Sequence, residues 1–182
     1  MTRVLVPVAQ GCEELEAVTI TDLLTRAGID VVIAGLDEQP VVASRGLKIL
    51  PQISIKKLQD QLFDMVILPG GLPGANHLRD NLKIQNILKN HASNNRYVAA
   101  ICAAPKALAQ AGLLKDKTVT CYPGALDEVN KNNINLTGSA LEIDGKIITS
   151  RGPGTAMDFA LALIELLEGP EKKQAVEKTL VR

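Results

Sequence analysis

The feature that most constrains the fold is a set of short strand-like runs that are apolar from end to end and separated by helical segments. MVILP, starting at Met65, and YVAAIC, starting at Tyr97, do not alternate between apolar and polar residues. A strand with one wet face alternates, so these runs read as strands covered by helices on both faces. They belong to a series of strand-like runs rich in β-branched and apolar residues: Arg3 to Val8, Asp30 to Leu36, Phe63 to Leu68, Arg96 to Ile101, Thr118 to Cys121 and Lys146 to Ser150. Their alternation with helical segments predicts a mainly parallel sheet. Between Leu136 and Thr149, Asp144-Gly145 separates two strand candidates and signals a hairpin. Helices are expected from Glu13 to Ala27 before Gly28, Leu82 to Ala92, Ala104 to Ala111 before Gly112, Pro153 to Leu167 before Gly169, and Glu171 to Leu180. In the first of these, Leu15, Val18, Thr19, Asp22 and Leu23 follow helical spacing.

Composition narrows the function classes. Aromatic residues make up 2% of the chain and Trp is absent, so Val, Ile, Leu and Ala must build the core, and platforms for stacking bases are lacking. Lys+Arg and Asp+Glu number 20 each, which gives neither nucleic acid nor a membrane surface a basic face to bind. A length of 182 residues suits one domain over 1–182. The apolar N-terminal stretch is too short for a signal peptide or a membrane span, and a cytoplasmic location is expected. Three widely spaced cysteines do not form a disulfide framework, and no zinc ligand set or other cofactor motif occurs.

In an open parallel sheet ligands gather beyond the carboxyl ends of the strands. Three turns stand there: Gln10 to Glu16, Pro69 to Gly74 and Cys102 to Pro105. Cys102 ends an apolar strand and precedes a helix, the arrangement of a nucleophile elbow, where the helix N-terminus is expected to favour thiolate. The alternative, a small buried cysteine, is outweighed by the elbow and its neighbouring turns. The N–H groups of Gly70, Gly71 and Ala103 are candidates to cradle an oxyanion, since paired glycines let backbone approach closely. Glu13 and Glu14 suit a helix start. Glu16, one turn further in, is the candidate to face the cleft and donate a proton from a carboxyl of raised pKa. Cys12 and Cys121 read as packing residues, and His77 and His91 as exposed helical residues outside the chemistry. The turn from Ser150 to Gly154 is expected beside the cleft.

Together GCEELEAV, ILPGG, AAICAAP and TSRGPGTAMDFAL resemble the ThiJ/PfpI superfamily and, within it, the DJ-one branch, collinearly along essentially the whole chain. The resemblance implies a flavodoxin-like three-layer α/β/α sandwich with a mainly parallel central sheet, and a homodimer. It also implies a reactive Cys102 bonded to a protonated Glu16, with Gly71 and Ala103 as oxyanion donors. Arg45 and Arg26 match basic positions near the cysteine and the dimer interface. Ala103 stands where the peptidase branch has His, which argues against peptidase chemistry. Tyr122 replaces a His of close relatives.

The implied function is a cysteine-dependent protein deglycase or cofactor-independent glyoxalase, a hydrolase or lyase. It would act on methylglyoxal, glyoxal and early glycation adducts through a Cys102 hemithioacetal. The alternative is an oxidative-stress sensor or redox-regulated chaperone based on oxidation of Cys102. The expected partners are small reactive aldehydes or glycated groups and a second copy of the chain.

Overall fold

The computed structural model describes residues 1–58, 62–129 and 133–181. In chain order the elements are β1 (Arg3–Val8), α1 (Glu14–Arg26), β2 (Asp30–Gly35), β3 (Val41–Val42), β4 (Lys48–Ile49), β5 (Ile53–Ser54), β6 (Met65–Leu68), α2 (Gly74–Asp80), α3 (Leu82–Ser93), β7 (Tyr97–Ile101), α4 (Pro105–Gln110), β8 (Lys117–Val119), β9 (Ile134–Leu136), β10 (Leu141–Asp144), β11 (Ile147–Ser150), α5 (Ala156–Glu168) and α6 (Pro170–Thr179). Seven strands form the main sheet in the order β10-β11-β7-β6-β1-β2-β5. All neighbours run parallel except β10 and β11, which pair antiparallel across the Asp144-Gly145 turn with Asp144 opposite Ile147.

The unbroken apolar strands are explained by two separate cores. On one face Val4, Val6, Met65, Ile67, Ala99 and Ile148 meet Ala17, Ile20 and Leu24 of α1, Phe159 and Leu163 of α5 and Val176 of α6. On the other, Leu5, Val66, Leu68, Val98 and Ala100 meet Leu78 of α2, Ile84 and Leu88 of α3 and Leu108 of α4. This is the flavodoxin-like α/β arrangement, with a mixed, mostly parallel sheet between two helical layers. Among the described residues no helix is long and apolar enough to cross a membrane.

Several elements depart from the sequence expectation. The Lys117–Val119 strand leaves the main sheet and pairs with β9, and β3 and β4 form a separate hairpin. The Pro153 helix begins as a 3₁₀ turn over Pro153–Thr155 before α5. In α1 the buried face is Glu16, Ala17, Ile20, Leu23 and Leu24, while Leu15 and Val18 are half-exposed. The spacing of Leu15, Val18, Thr19 and Asp22 therefore marks an outer face, because the core selected Ala17, Ile20 and Leu24 on the opposite side.

The switch in strand order lies between β1 and β6, where β1 connects onward to β2 on one side and β6 to β7 on the other. Such a switch opens a crevice at the carboxyl ends of the strands. The turns carrying Cys12, Gly70 and Cys102 meet there.

Candidate active site

The elbow is built by β7 and two neighbouring turns. Cys102 follows Ile101 with φ +61°, a left-handed conformation that costs a non-glycine residue about 1–3 kcal/mol. Two backbone bonds hold it in place: its N–H donates to the Ser150 carbonyl at 2.9 Å, and its carbonyl accepts from the Tyr122 N–H at 2.8 Å. The turn between Ser150 and Gly154 thus borders the site.

Glu16 reaches the elbow from the first turn of α1 and is fully buried. Its Oε2 accepts from the Gly70 N–H at 2.7 Å. Its Oε1 is buried and has no hydrogen-bond partner of good geometry among the described residues, yet the carboxyl interacts with the Cys102 thiol. A buried carboxylate oxygen left without a donor is unfavourable, so the site favours the protonated carboxyl, which can donate to the sulfur it meets. Burial agrees, raising Glu16 to about 7 against the opposing pull of the Gly70 N–H and the Cys102 contact.

Cys102 is 7% exposed. Burial first, then the charge and hydrogen bond of Glu16, push its thiol up to about 12, while the N–H groups of Gly71 and Ala103 pull it down. The sequence expectation of a thiol made acidic by a helix N-terminus is corrected here. The helix is the six-residue α4, and desolvation outweighs its field. The two acids titrate as a pair. With the proton on Glu16, the charge that opposes thiolate disappears and only burial resists the two N–H donors.

The glycine pair divides its work. Gly71 and Ala103 aim N–H groups at the sulfur, whereas the N–H of Gly70 is committed to Glu16 and is not free for an oxyanion. A Cβ on Gly70 would stand 2.7 Å from the Cys102 Cβ and 2.8 Å from Glu16 Oε2, so only glycine lets the three groups converge.

Other expected residues scatter around this centre. Arg45 lies exposed on the β3–β4 hairpin, whose loop docks on the first turn: the Ser44 N–H donates to the Cys12 carbonyl at 2.8 Å and the Arg45 N–H to Glu14 Oε1 at 2.7 Å. Ser44 Oγ donates to Glu13 Oε2 and Glu14 Oε2, both at 3.0 Å, so these acids anchor a loop 30 residues away as well as opening a helix. The sequence carries no local signal for that contact. Arg26 sits at the far end of α1, about 15 Å along the axis from Glu16, and pairs with Asp22 at 2.7 Å. Cys12 is buried, which raises its thiol to about 11. Cys121 is buried in the opposite core. Tyr122 is exposed and, with Pro123, Arg151, Gly152 and Thr155, lines a cleft of about 300 Å³.

His77 is exposed on α2, as expected, but His91 is not: it is 1% exposed. Its Nε2 accepts from the Phe63 N–H at 2.9 Å and its Nδ1 meets the Ile87 carbonyl at 2.8 Å. Polar neighbours in sequence concealed this burial, because the Phe63 contact comes from 28 residues away.

The sequence pattern that defines the DJ-1/PfpI family matches residues 2–166. The chain belongs to the DJ-1/PfpI family. Drosophila melanogaster DJ-1beta is 42% identical over 178 residues, covering 97% of this chain and 95% of that protein. Its crystal structure matches 99% of this chain and 97% of its own with a TM-score of 0.94. The glutathione-independent glyoxalase DJR-1.2 of Caenorhabditis elegans is 35% identical over 171 residues, covering 94% and 91% of the two chains. Arabidopsis thaliana DJ-1 homolog A is 41% identical over 180 residues, and the chain spans 46% of that longer protein. The DJ-1/PfpI family thus includes an enzyme that acts on glyoxals without glutathione.

Proposed function

We propose that this DJ-1/PfpI chain is a cofactor-independent glyoxalase and protein deglycase whose nucleophile is Cys102 and whose proton carrier is Glu16. The observation that carries the reading is the fully buried Glu16 carboxyl, which interacts with the thiol of a strained elbow and keeps one oxygen, Oε1, without a partner among the described residues. Similarity to the nematode glyoxalase supports the substrate class, and Gly71 and Ala103 supply the donors for an oxyanion.

For methylglyoxal the steps balance without a cofactor. The Cys102 sulfur forms a bond to the aldehyde carbon while the carbonyl electron pair moves to oxygen and takes a proton, giving a hemithioacetal. Glu16 as carboxylate removes the proton from that carbon, and the enediol so formed is reprotonated at the neighbouring carbon, leaving a 2-hydroxyacyl thioester. Water cleaves the thioester to lactate and returns the proton to sulfur. On an early glycation adduct, the same attack followed by release of the amine or thiol would free the modified group. A Glu16 carboxyl that titrates near 7 suits a group that both gives and takes a proton at neutral pH.

The exposed apolar side chains of Leu15 and Val18 on α1, and of Leu47, whose N–H reaches Glu14 of the same helix, suit a homodimer. In that assembly Arg26 and Arg45 would lie at the interface. Leu15→Glu should shift the chain to monomer in sedimentation experiments, and an unchanged mass would remove this part of the proposal.

The test of the activity is lactate formation from methylglyoxal without glutathione, for wild type, Cys102→Ala and Glu16→Ala. Turnover lost in both variants supports the mechanism. Wild type without turnover would favour the redox reading, in which peroxide oxidises Cys102 to a sulfinate held by the Gly71 and Ala103 N–H groups and by Glu16.

A further inference from the structure

A second cleft, of about 570 Å³, opens on the opposite face of the sheet from Glu16, between α2, α4 and the turn at 125–129. Its unusual member is Lys106, which is only 9% exposed. The Lys106 ammonium donates to the neutral Asn76 Oδ1 at 3.0 Å. Among the described residues no carboxylate forms an ion pair with it. Asp80 feels the Lys106 charge from a distance, but its hydrogen bonds go to Arg79, at 2.7 and 2.9 Å, and Arg79 also lies 3.9 Å from Glu128.

A buried ammonium is costly unless an anion faces it, and it has three N–H donors to satisfy. One amide oxygen leaves two donors available to the cleft, and the charge has only the more distant Asp80 opposite it. Ala109, Ala125 and Val129 give the cleft an apolar strip, while Gln110 and the Arg79, Asp80 and Glu128 charges form the polar remainder of its lining. With two cations, Arg79 and Lys106, against two carboxylates, the lining carries no excess positive charge to hold a polyanion, which suits a ligand with a single carboxylate. We propose that this cleft binds a small organic monocarboxylate, its carboxylate on the Lys106 ammonium and its apolar body against Ala109, Ala125 and Val129. The volume lies within the ordinary range of small-molecule sites, and the proposed Cys102 chemistry makes no use of Lys106.

The experiment is a titration of the full ¹⁵N-labelled chain with sodium 4-methylpentanoate, followed by amide chemical shifts. Saturable shifts are expected at 75–80, 106–110 and 125–129, with none from the uncharged 4-methylpentanamide and weaker ones from citrate. Lys106→Met should bind at least about tenfold more weakly, the effect of removing one charged hydrogen bond, and Cys102→Ala should bind as wild type does. The proposal is overturned if the carboxylate moves no cleft amides, if the amide analogue binds as well, or if Lys106→Met binds unchanged. Should Lys106→Met not fold, the comparison of carboxylate with amide on the unaltered chain decides alone.

Discussion

Two buried titratable side chains, Glu16 and His91, sit in the same sheet sandwich, and they are finished differently. His91 has both ring nitrogens engaged, by the Phe63 N–H and the Ile87 carbonyl. Glu16 has one oxygen engaged by the Gly70 N–H and one without a partner among the described residues, in a carboxyl that meets a thiol. Burial acts on both, lowering His91 and raising Glu16, so burial alone does not distinguish structure from chemistry. The unspent hydrogen-bonding capacity does. A satisfied buried group fixes a fold, whereas a half-satisfied one beside a nucleophile is available for reaction.

The largest expected effect separates the two by activity. Glu16→Ala should lower lactate formation at least about a hundredfold, whereas His91→Leu should leave turnover per folded molecule unchanged. Equal losses in both variants would break the distinction. Next in size is stability: urea unfolding of His91→Leu should show a loss of about 2–3 kcal/mol, because the buried Phe63 N–H is left without its acceptor.

Unfolding free energy against pH should resolve the pair by sign. The folded-state value of Glu16, about 7, lies above its ordinary 4.5, so the folded protein holds the extra proton between those values. Its contribution is full below 4.5 and is lost as pH rises to about 7, a change on the order of 3 kcal/mol. Burial depresses His91 below its ordinary 6.5, so its contribution is present above 6.5 and is lost as pH falls below it. Glu16→Gln should flatten only the first trend and His91→Leu only the second. The smallest effect belongs to Arg26→Ala, which removes an exposed i,i+4 ion pair worth less than about 0.5 kcal/mol; a monomer destabilised much further would show that Arg26 holds more than Asp22.

The main sheet was legible in the sequence because β6 and β7 carry no charged residue and β1 and β2 none after their first, a pattern that few other arrangements satisfy. The β3–β4 hairpin and β5 were not, since two-residue strands carry no periodicity. Helix α2 went unnoticed because GANHLRD offers no clear apolar face and Leu72, Pro73 and Gly74 read as turn. Of the site, the elbow at Cys102 and the inward turn of Glu16 could be read from position relative to strand and helix. The commitment of Gly70 to Glu16 could not, since it joins residues 54 apart. Likewise the thiol's raised pKa depends on a depth of burial that local sequence does not encode.

The left-handed backbone at Cys102 has a consequence for how the site can be varied. Serine and alanine inherit the same torsional load as cysteine, so those replacements report on sulfur alone. Glycine would release it, and Cys102→Gly should unfold at higher denaturant than Cys102→Ala if the empty sulfur position is equal in both. The elbow thus behaves as a spring clamped by Ser150 and Tyr122, and part of the fold's stability is held permanently in tension to keep one atom at the mouth of the crevice.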